Sequence, residues 1–194
     1  MLLPLTTFAL ATTCTPGPNN LMLTASGVNF GFARSLPHMF GVIAGFAVVL
    51  AACGGGLGLV FRSLPALHTL LQVAGALYML WLAWRVATAG RPEGAASGGG
   101  APLTFLEAAA FQWVNPKGVL TALGAAALFV RPESPGFDTV VMVGIFALAT
   151  VVSVIIWTAF GTVVARLLGT PRRARIFNIV MALLLIASIV PMLV

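Results

Sequence analysis

Charge is what this chain has least of. Charged residues fill 7% of its 194 positions, against roughly 25% in ordinary soluble domains. Only four are acidic: Glu93, Glu107, Glu133 and Asp138. With 60% hydrophobic residues and a mean hydropathy of +1.07, a water-soluble domain is excluded. The shortage of carboxylates argues against a metal-ion exporter, which needs intramembrane carboxylates or soft-ligand clusters. It also argues against a dedicated site for dibasic substrates. Cysteine is nearly absent. Cys14 and Cys53 both lie inside apolar runs and make no disulfide framework. No Cys/His group has metal-ligand spacing, and nothing implies a cofactor. His38 and His68 stand at the ends of apolar runs, where an interfacial place is expected rather than a proton path. The N-terminus lacks the basic region of a cleavable signal peptide.

The net charge of +6 rests almost wholly on arginine. Those arginines sit at the ends of apolar runs, so they report topology and contact with anionic headgroups, not nucleic-acid binding. Six apolar segments can be read, at about 4–26, 36–60, 64–89, 104–130, 137–168 and 176–194. Each is long enough to cross a bilayer as a helix, at about 20 residues per span. A Gly/Ala/Pro/Ser-rich loop covers 90–103. Seven arginines (Arg34, Arg85, Arg91, Arg166, Arg172, Arg173 and Arg175) fall at the first, third and fifth loops, against Arg62 and Arg131 on the other side. Positive residues favour the cytoplasm, so both termini are expected on the periplasmic side of a bacterial inner membrane.

Two of these segments are broken by proline. The first carries Thr15-Pro16-Gly17-Pro18-Asn19-Asn20 and the fourth carries Gln112-Trp113-Val114-Asn115-Pro116-Lys117-Gly118. A break in a spanning helix frees backbone polar groups that lipid cannot satisfy, so it is tolerated only against protein or a wet cavity. Pro18 and Pro116 lie 98 residues apart, close to half the chain. Gly45-Phe46-Ala47-Val48 is likewise echoed by Gly144-Ile145-Phe146-Ala147. Three spans per half is an odd number, so the halves must enter the membrane in opposite senses. The expected fold is all-α and integral to the membrane, one transporter domain over 1–194. Six transmembrane helices form two inverted three-helix repeats, about 1–89 and 104–194, with broken first and fourth helices.

The breaks also carry the candidate chemistry. Pro16, Gly17 and Pro18 in succession predict an unwound turn with free carbonyls, followed by a half-helix whose first amides bear positive partial charge. A substrate carboxylate suits those amides, and Asn19 and Asn20 can donate and accept. In the second break Pro116 opens a half-helix, Asn115 can cap it, and Lys117 adds a full charge at the middle of its span. A mid-bilayer lysine costs roughly 2.5–3.5 kcal/mol on insertion scales, so Lys117 is expected in a wet cavity. There it pairs with a carboxylate or carries the coupling proton. Glu107, read as the one carboxylate inside a span, is a second proton-coupling candidate near the cytoplasmic mouth. Gln112 and Tyr78 are expected to line the cavity, with Asn178 a weaker candidate. Gly41, Gly45, Gly54, Gly55, Gly56 and Gly58 are expected to let helices approach closely, and Trp81 and Trp84 to anchor at the interface.

These motifs resemble the LysE/RhtB family of bacterial amino-acid exporters over nearly the whole chain. The likeness rests on Pro16-Gly17-Pro18-Asn19, on Gly31-Phe32-Ala33-Arg34-Ser35 followed by Gly41 and Gly45, on Gly75-Ala76-Leu77-Tyr78-Met79-Leu80-Trp81 with Ala83 and Arg85, and on Asn115-Pro116-Lys117. The resemblance implies efflux of an amino acid or small metabolite driven by the proton-motive force. Within the family, Trp81-Leu82-Ala83-Trp84 and the stretch from Asn178 to Leu185 look most like members handling cysteine or O-acetylserine. A small neutral amino acid or derivative is therefore the expected substrate, with protons and the bilayer as further partners and the oligomeric state left open. Two rival readings remain beside the metal-ion exporter: a membrane thiol-redox conductor using Cys14 and Cys53, and a passive channel.

Overall fold

A computed structural model describes residues 2–57, 65–89 and 101–190, without side chains at 65–68. Among the described residues the chain is helical, with no strand. Eight helices follow in order: α1 (Leu2–Cys14), α2 (Pro18–Arg34), α3 (Leu36–Ala52, continued by a π-helical turn, Cys53–Leu57), α4 (Pro65–Thr88), α5 (Phe105–Val114), α6 (Pro116–Phe129), α7 (Pro135–Leu168) and α8 (Pro171–Ala187). Proline stands in the first turn of α2, α3, α6, α7 and α8, where its missing N–H has no intrahelical partner to lose. The prolines of this chain therefore start helices more than they bend them.

Among the described residues three helices are long and apolar enough to cross a membrane: Leu36–Leu57, Thr69–Thr88 and Pro135–Leu168. Helices α1 and α6 are apolar but only 13 and 14 residues long, short of the roughly 20 a span needs. Each is half of an interrupted pair. α1 stops at Cys14 and the chain resumes as α2 at Pro18; α5 stops at Val114 and α6 resumes at Pro116. The structure thus shows both expected interruptions.

Packing depends on backbone contact. α2 lies chiefly along α7, α3 along α5, and α4 along α8, while α1 and α3 also touch α7. At the α2–α7 crossing a Cβ built on Gly27 falls 2.3 Å from the Thr158 carbonyl oxygen, and one on Gly161 falls 2.2 Å from that of Thr24. At the α3–α5 crossing the same test gives 2.4 Å from Gly41 to the Phe105 oxygen and 2.6 Å from Gly45 to the Ala109 Cα. No side chain fits at these points. Two apolar clusters fill the interior. One, around Met22, Leu23, Met39, Phe111, Val154 and Leu185, follows the α1–α2 break and precedes the α5–α6 break. The other, around Leu5, Phe46, Leu50, Ala125, Met142 and Phe146, lies on the far side of both. The two interruptions therefore share one level between the clusters. Apolar side chains such as Leu106, Leu120, Leu148 and Leu167 stay outward and exposed, as a lipid-facing surface requires.

Several expectations change. The first segment runs past Ser26 to Arg34, bent at Gly31, whose φ of +77° only glycine adopts readily. The last helix begins at Pro171, so Arg172, Arg173 and Arg175 lie in its opening turns and not in a loop. Glu107 is not the only carboxylate on a spanning segment. Asp138 lies in the first turn of α7 and is buried, held by Arg131 through Nε–Oδ2 at 2.8 Å and Nη2–Oδ1 at 2.9 Å. Gly54 does make a close approach, its built Cβ 2.5 Å from Thr139, but Gly55 and Gly56 meet nothing within 4 Å. Gly56 serves backbone geometry instead, with φ +102° within the π-helical turn. Arg62, Arg91, Gly58, the loop at 90–100, the last residues at 191–194 and the side chain of His68 lie outside what is described.

Candidate functional site

The α1–α2 break strands carbonyls that a continuous helix would have paired. Side chains from three other places meet them. Asn20 Nδ2 donates to the carbonyls of Thr13 at 2.9 Å and Thr15 at 2.8 Å. Ser153 Oγ of α7 donates to Thr13 at 2.8 Å, and Trp157 Nε1 donates to Cys14 at 3.2 Å. Lys117 Nζ, reaching over from α6, donates to Thr15 at 2.5 Å and to Pro16 at 3.3 Å. Four consecutive carbonyls, Thr13 to Pro16, thus have side-chain donors. Gly17 permits the approach of the lysine: a Cβ there falls 2.7 Å from Lys117 Cδ. Its φ of −173° is ordinary extended backbone, so space and not conformation calls for glycine.

The two breaks are tied to each other. Asn19 Nδ2 donates to Gln112 Oε1 at 2.7 Å, and Gln112 Nε2 donates back to Asn19 Oδ1 at 3.1 Å. Gln112 is fully buried, so this reciprocal pair is a fixed link between α2 and α5. Neither resumed half-helix has a side-chain cap, at Gly17 or at Asn115. Asn115 was expected to cap α6 and does not. Its backbone (φ −79°, ψ 107°) is the extended one usual at a cap, but its side chain bonds no amide of the first turn, and its buried Oδ1 has no hydrogen-bond partner. A buried acceptor left so calls for a partner, water included, that no side chain here supplies.

Pro18, Asn19, Asn20, Asn115, Lys117 and Gly118 border one cavity of about 50 Å³, together with Thr12, Thr13, Thr121, Thr150 and Ser153. That volume admits a few waters and no amino acid. Pro16, Gln112 and Pro116 adjoin the breaks without bordering this cavity, and two further expected residues lie apart. Tyr78 stacks on Phe111 at 5.5 Å and donates to the Glu107 carbonyl at 3.2 Å, outside this cavity. Glu107 is held in a capping box with Thr104 and pairs with Arg85 at 2.9 Å, at the end of α5 away from the break. Asn178 pairs reciprocally with Asn29 and bonds the Ala89 carbonyl, joining α8, α2 and the end of α4. Cys14 and Cys53 are free thiols. Thr150, Ser153 and Trp157 escaped the sequence reading. Their spacing of three and four puts them on one face of α7, a polar stripe in an otherwise apolar helix that is the signal to look for.

The model of the LysE type translocator family matches residues 10–190. Cysteine/O-acetylserine efflux proteins of Escherichia coli O139:H28 (strain E24377A / ETEC) and Escherichia coli (strain K12) are each 35% identical over 182 residues, which cover 93% of this chain and 91% of theirs. The cysteine/O-acetylserine efflux protein of Shigella flexneri matches to the same extent. No solved structure matches the chain. With interruptions in the first and fourth segments, glycine-mediated crossings and a match over nearly all its length, the chain belongs to the LysE-type translocator family.

Proposed function

We propose that this chain is a multi-pass exporter of the bacterial inner membrane, moving a small neutral amino acid or derivative out of the cytoplasm in exchange for protons. The relatives' substrates, cysteine and O-acetylserine, are the first to test. The observation that carries the reading is the meeting, at one level, of stranded carbonyls, two uncapped half-helix starts and the Lys117 ammonium. A zwitterion has the complementary pair of charges. Its carboxylate suits the helix-start amides. Its ammonium suits the Asn115 Oδ1 and the carbonyls of Thr15 and Pro16, where Lys117 now sits.

Substrate and lysine therefore compete for the same carbonyls. Displaced from them, Lys117 either pairs with the incoming carboxylate or gives up its proton, and in the second case substrate and proton exclude each other. That exclusion is the condition for antiport. The small cavity requires α1–α2 or α5–α6 to shift before an amino acid enters, and alternating access provides for such movement. Packing that exchanges the halves supports the inverted-repeat reading of 1–89 and 104–194: the first interrupted pair lies on α7, the second on α3, while α3 meets α7 and α4 meets α8. In this reading six spans place both termini in the periplasm and the arginine-rich loops in the cytoplasm.

The test is efflux of radiolabelled O-acetyl-L-serine from proteoliposomes. It should depend on an imposed proton gradient, and Lys117→Ala and Asn20→Ala should each reduce the rate at least about tenfold, the effect of losing about 1.4 kcal/mol. Unchanged rates in both variants would remove this site from the mechanism. Efflux indifferent to the gradient would remove the antiport.

A further inference from the structure

A second cavity, of about 260 Å³, lies at the arginine-rich end of the bundle, bordered by Met22, Ser26 and Asn29 of α2, His38 of α3, and Leu82 and Arg85 of α4. His38 was expected at the interface. Instead it is 1% exposed, and neither of its ring nitrogens has a hydrogen-bond partner. Both positions of an imidazole require a donor or an acceptor, and leaving them empty in a buried place is costly.

The polar surroundings are one-sided. Ser35 Oγ spends its only proton on the Gly31 carbonyl at 2.8 Å. In the 2.8 Å pair of Ser26 and Ser35 the donor is therefore Ser26, whose lone pairs remain for a donor in the cavity. The Asn29 amide is fully engaged by Ala25 and Asn178 and acts as wall. Arg85 is fixed at the mouth by Glu107 at 2.9 Å, by the Ala101 carbonyl at 2.8 Å and by the face of Trp81, 4.9 Å from its ring centre.

This cavity and the break cavity lie along the same faces of α2 and α3. Asn19, Met22, Ser26 and Asn29 follow at helical spacing on one face of α2. The first borders the break cavity and the other three the second. On α3, Phe46 and Val42 border the break cavity and His38, one turn earlier, borders the second.

We infer that this second cavity is a separate binding station for the zwitterionic head of an amino acid entering from the arginine-rich side, with Arg85 toward the carboxylate, Ser26 toward the ammonium, and the unpartnered His38 ring, closed off in this conformation, turning to the carboxylate when it binds. The inference rests on the exporter reading for its direction, but not for its site.

The experiment has two arms, both with O-acetyl-L-serine as the probe. In everted membrane vesicles, which present the cytoplasmic face outward, His38→Gln should raise KM at least about fivefold and leave kcat within about twofold, the sign of lost ground-state binding. In wild-type protein labelled with 15N-histidine in nanodiscs, the two histidines are told apart by His68→Gln. The probe should shift the His38 signal, and should still do so in the Lys117→Ala protein, where the break site is disabled. A His38 signal unmoved by the probe overturns the inference, as does an unchanged KM in His38→Gln. Failure of the wild type to take up the probe overturns the exporter reading instead, and the station then stands or falls on the imidazole shift.

Discussion

Asn20 offers the sharpest test of how the first interruption is held. Its amide nitrogen donates to two carbonyls, those of Thr13 and Thr15, and the residue is 5% exposed. Each carbonyl has a second donor: Ser153 for Thr13 and Lys117 for Thr15. Asn20→Ala therefore removes two bonds without orphaning either acceptor. At about 0.5–1.5 kcal/mol net per bond, and nearer the low end where the unfolded chain in a bilayer finds other partners, the expected loss is about 1–2 kcal/mol. Ser153→Ala removes the bond to Thr13 and a longer one, 3.4 Å, to Asn20 Oδ1, and should cost about half as much. The double variant strips Thr13 of both donors, so its cost should exceed the sum of the single changes by about 1 kcal/mol. Asn20→Asp keeps the shape but points an acceptor at two acceptors, so it should destabilise more than alanine does. The assay is denaturant unfolding in mixed micelles, followed by circular dichroism, with O-acetyl-L-serine efflux measured in parallel. If Asn20→Asp matches the wild type, or the double variant is simply additive, the donors assigned to these carbonyls are wrong.

Gly17→Ala should be tolerated by the backbone but places a Cβ 2.7 Å from Lys117 Cδ; efflux should fall severalfold while expression and unfolding stay near wild type. Gly161→Ala sets a methyl 2.2 Å from the Thr24 carbonyl oxygen and forces α2 away from α7. About 1–3 kcal/mol of stability should be lost to this overpacking, seen as a lower melting temperature in detergent. Gly124→Ala, with open space around its Cβ, is the matched control and should be neutral or slightly stabilising.

The interruptions were legible because their cause is local. Proline removes an amide and fixes φ wherever it stands, so Pro16, Pro18 and Pro116 announce broken helices without knowledge of any neighbour. Lys117 was legible for a related reason, since a charge at the middle of an apolar run has few tolerable places. Its partner was not. The charge was expected on a substrate carboxylate, and the structure puts it on the carbonyls of Thr15 and Pro16. Asn115 was misjudged as a cap because capping depends on a side-chain torsion that residue type does not specify. His38 was misjudged because position near a segment end says nothing about which neighbours close over it.

Composition and proline placement alone decided that this chain is helical, apolar and interrupted twice, because those properties follow from the cost of exposing backbone or charge to lipid, residue by residue. Only the packed fold decided that Ser153 and Trp157 of α7 would answer the carbonyls of the first break, that Asn19 would meet Gln112, and that His38 would stand unpaired in a chamber of its own. Those meetings span roughly 90 to 140 residues of chain. They depend on which helix faces come together, and here glycines with no side chain to keep the backbones apart determine how closely they meet.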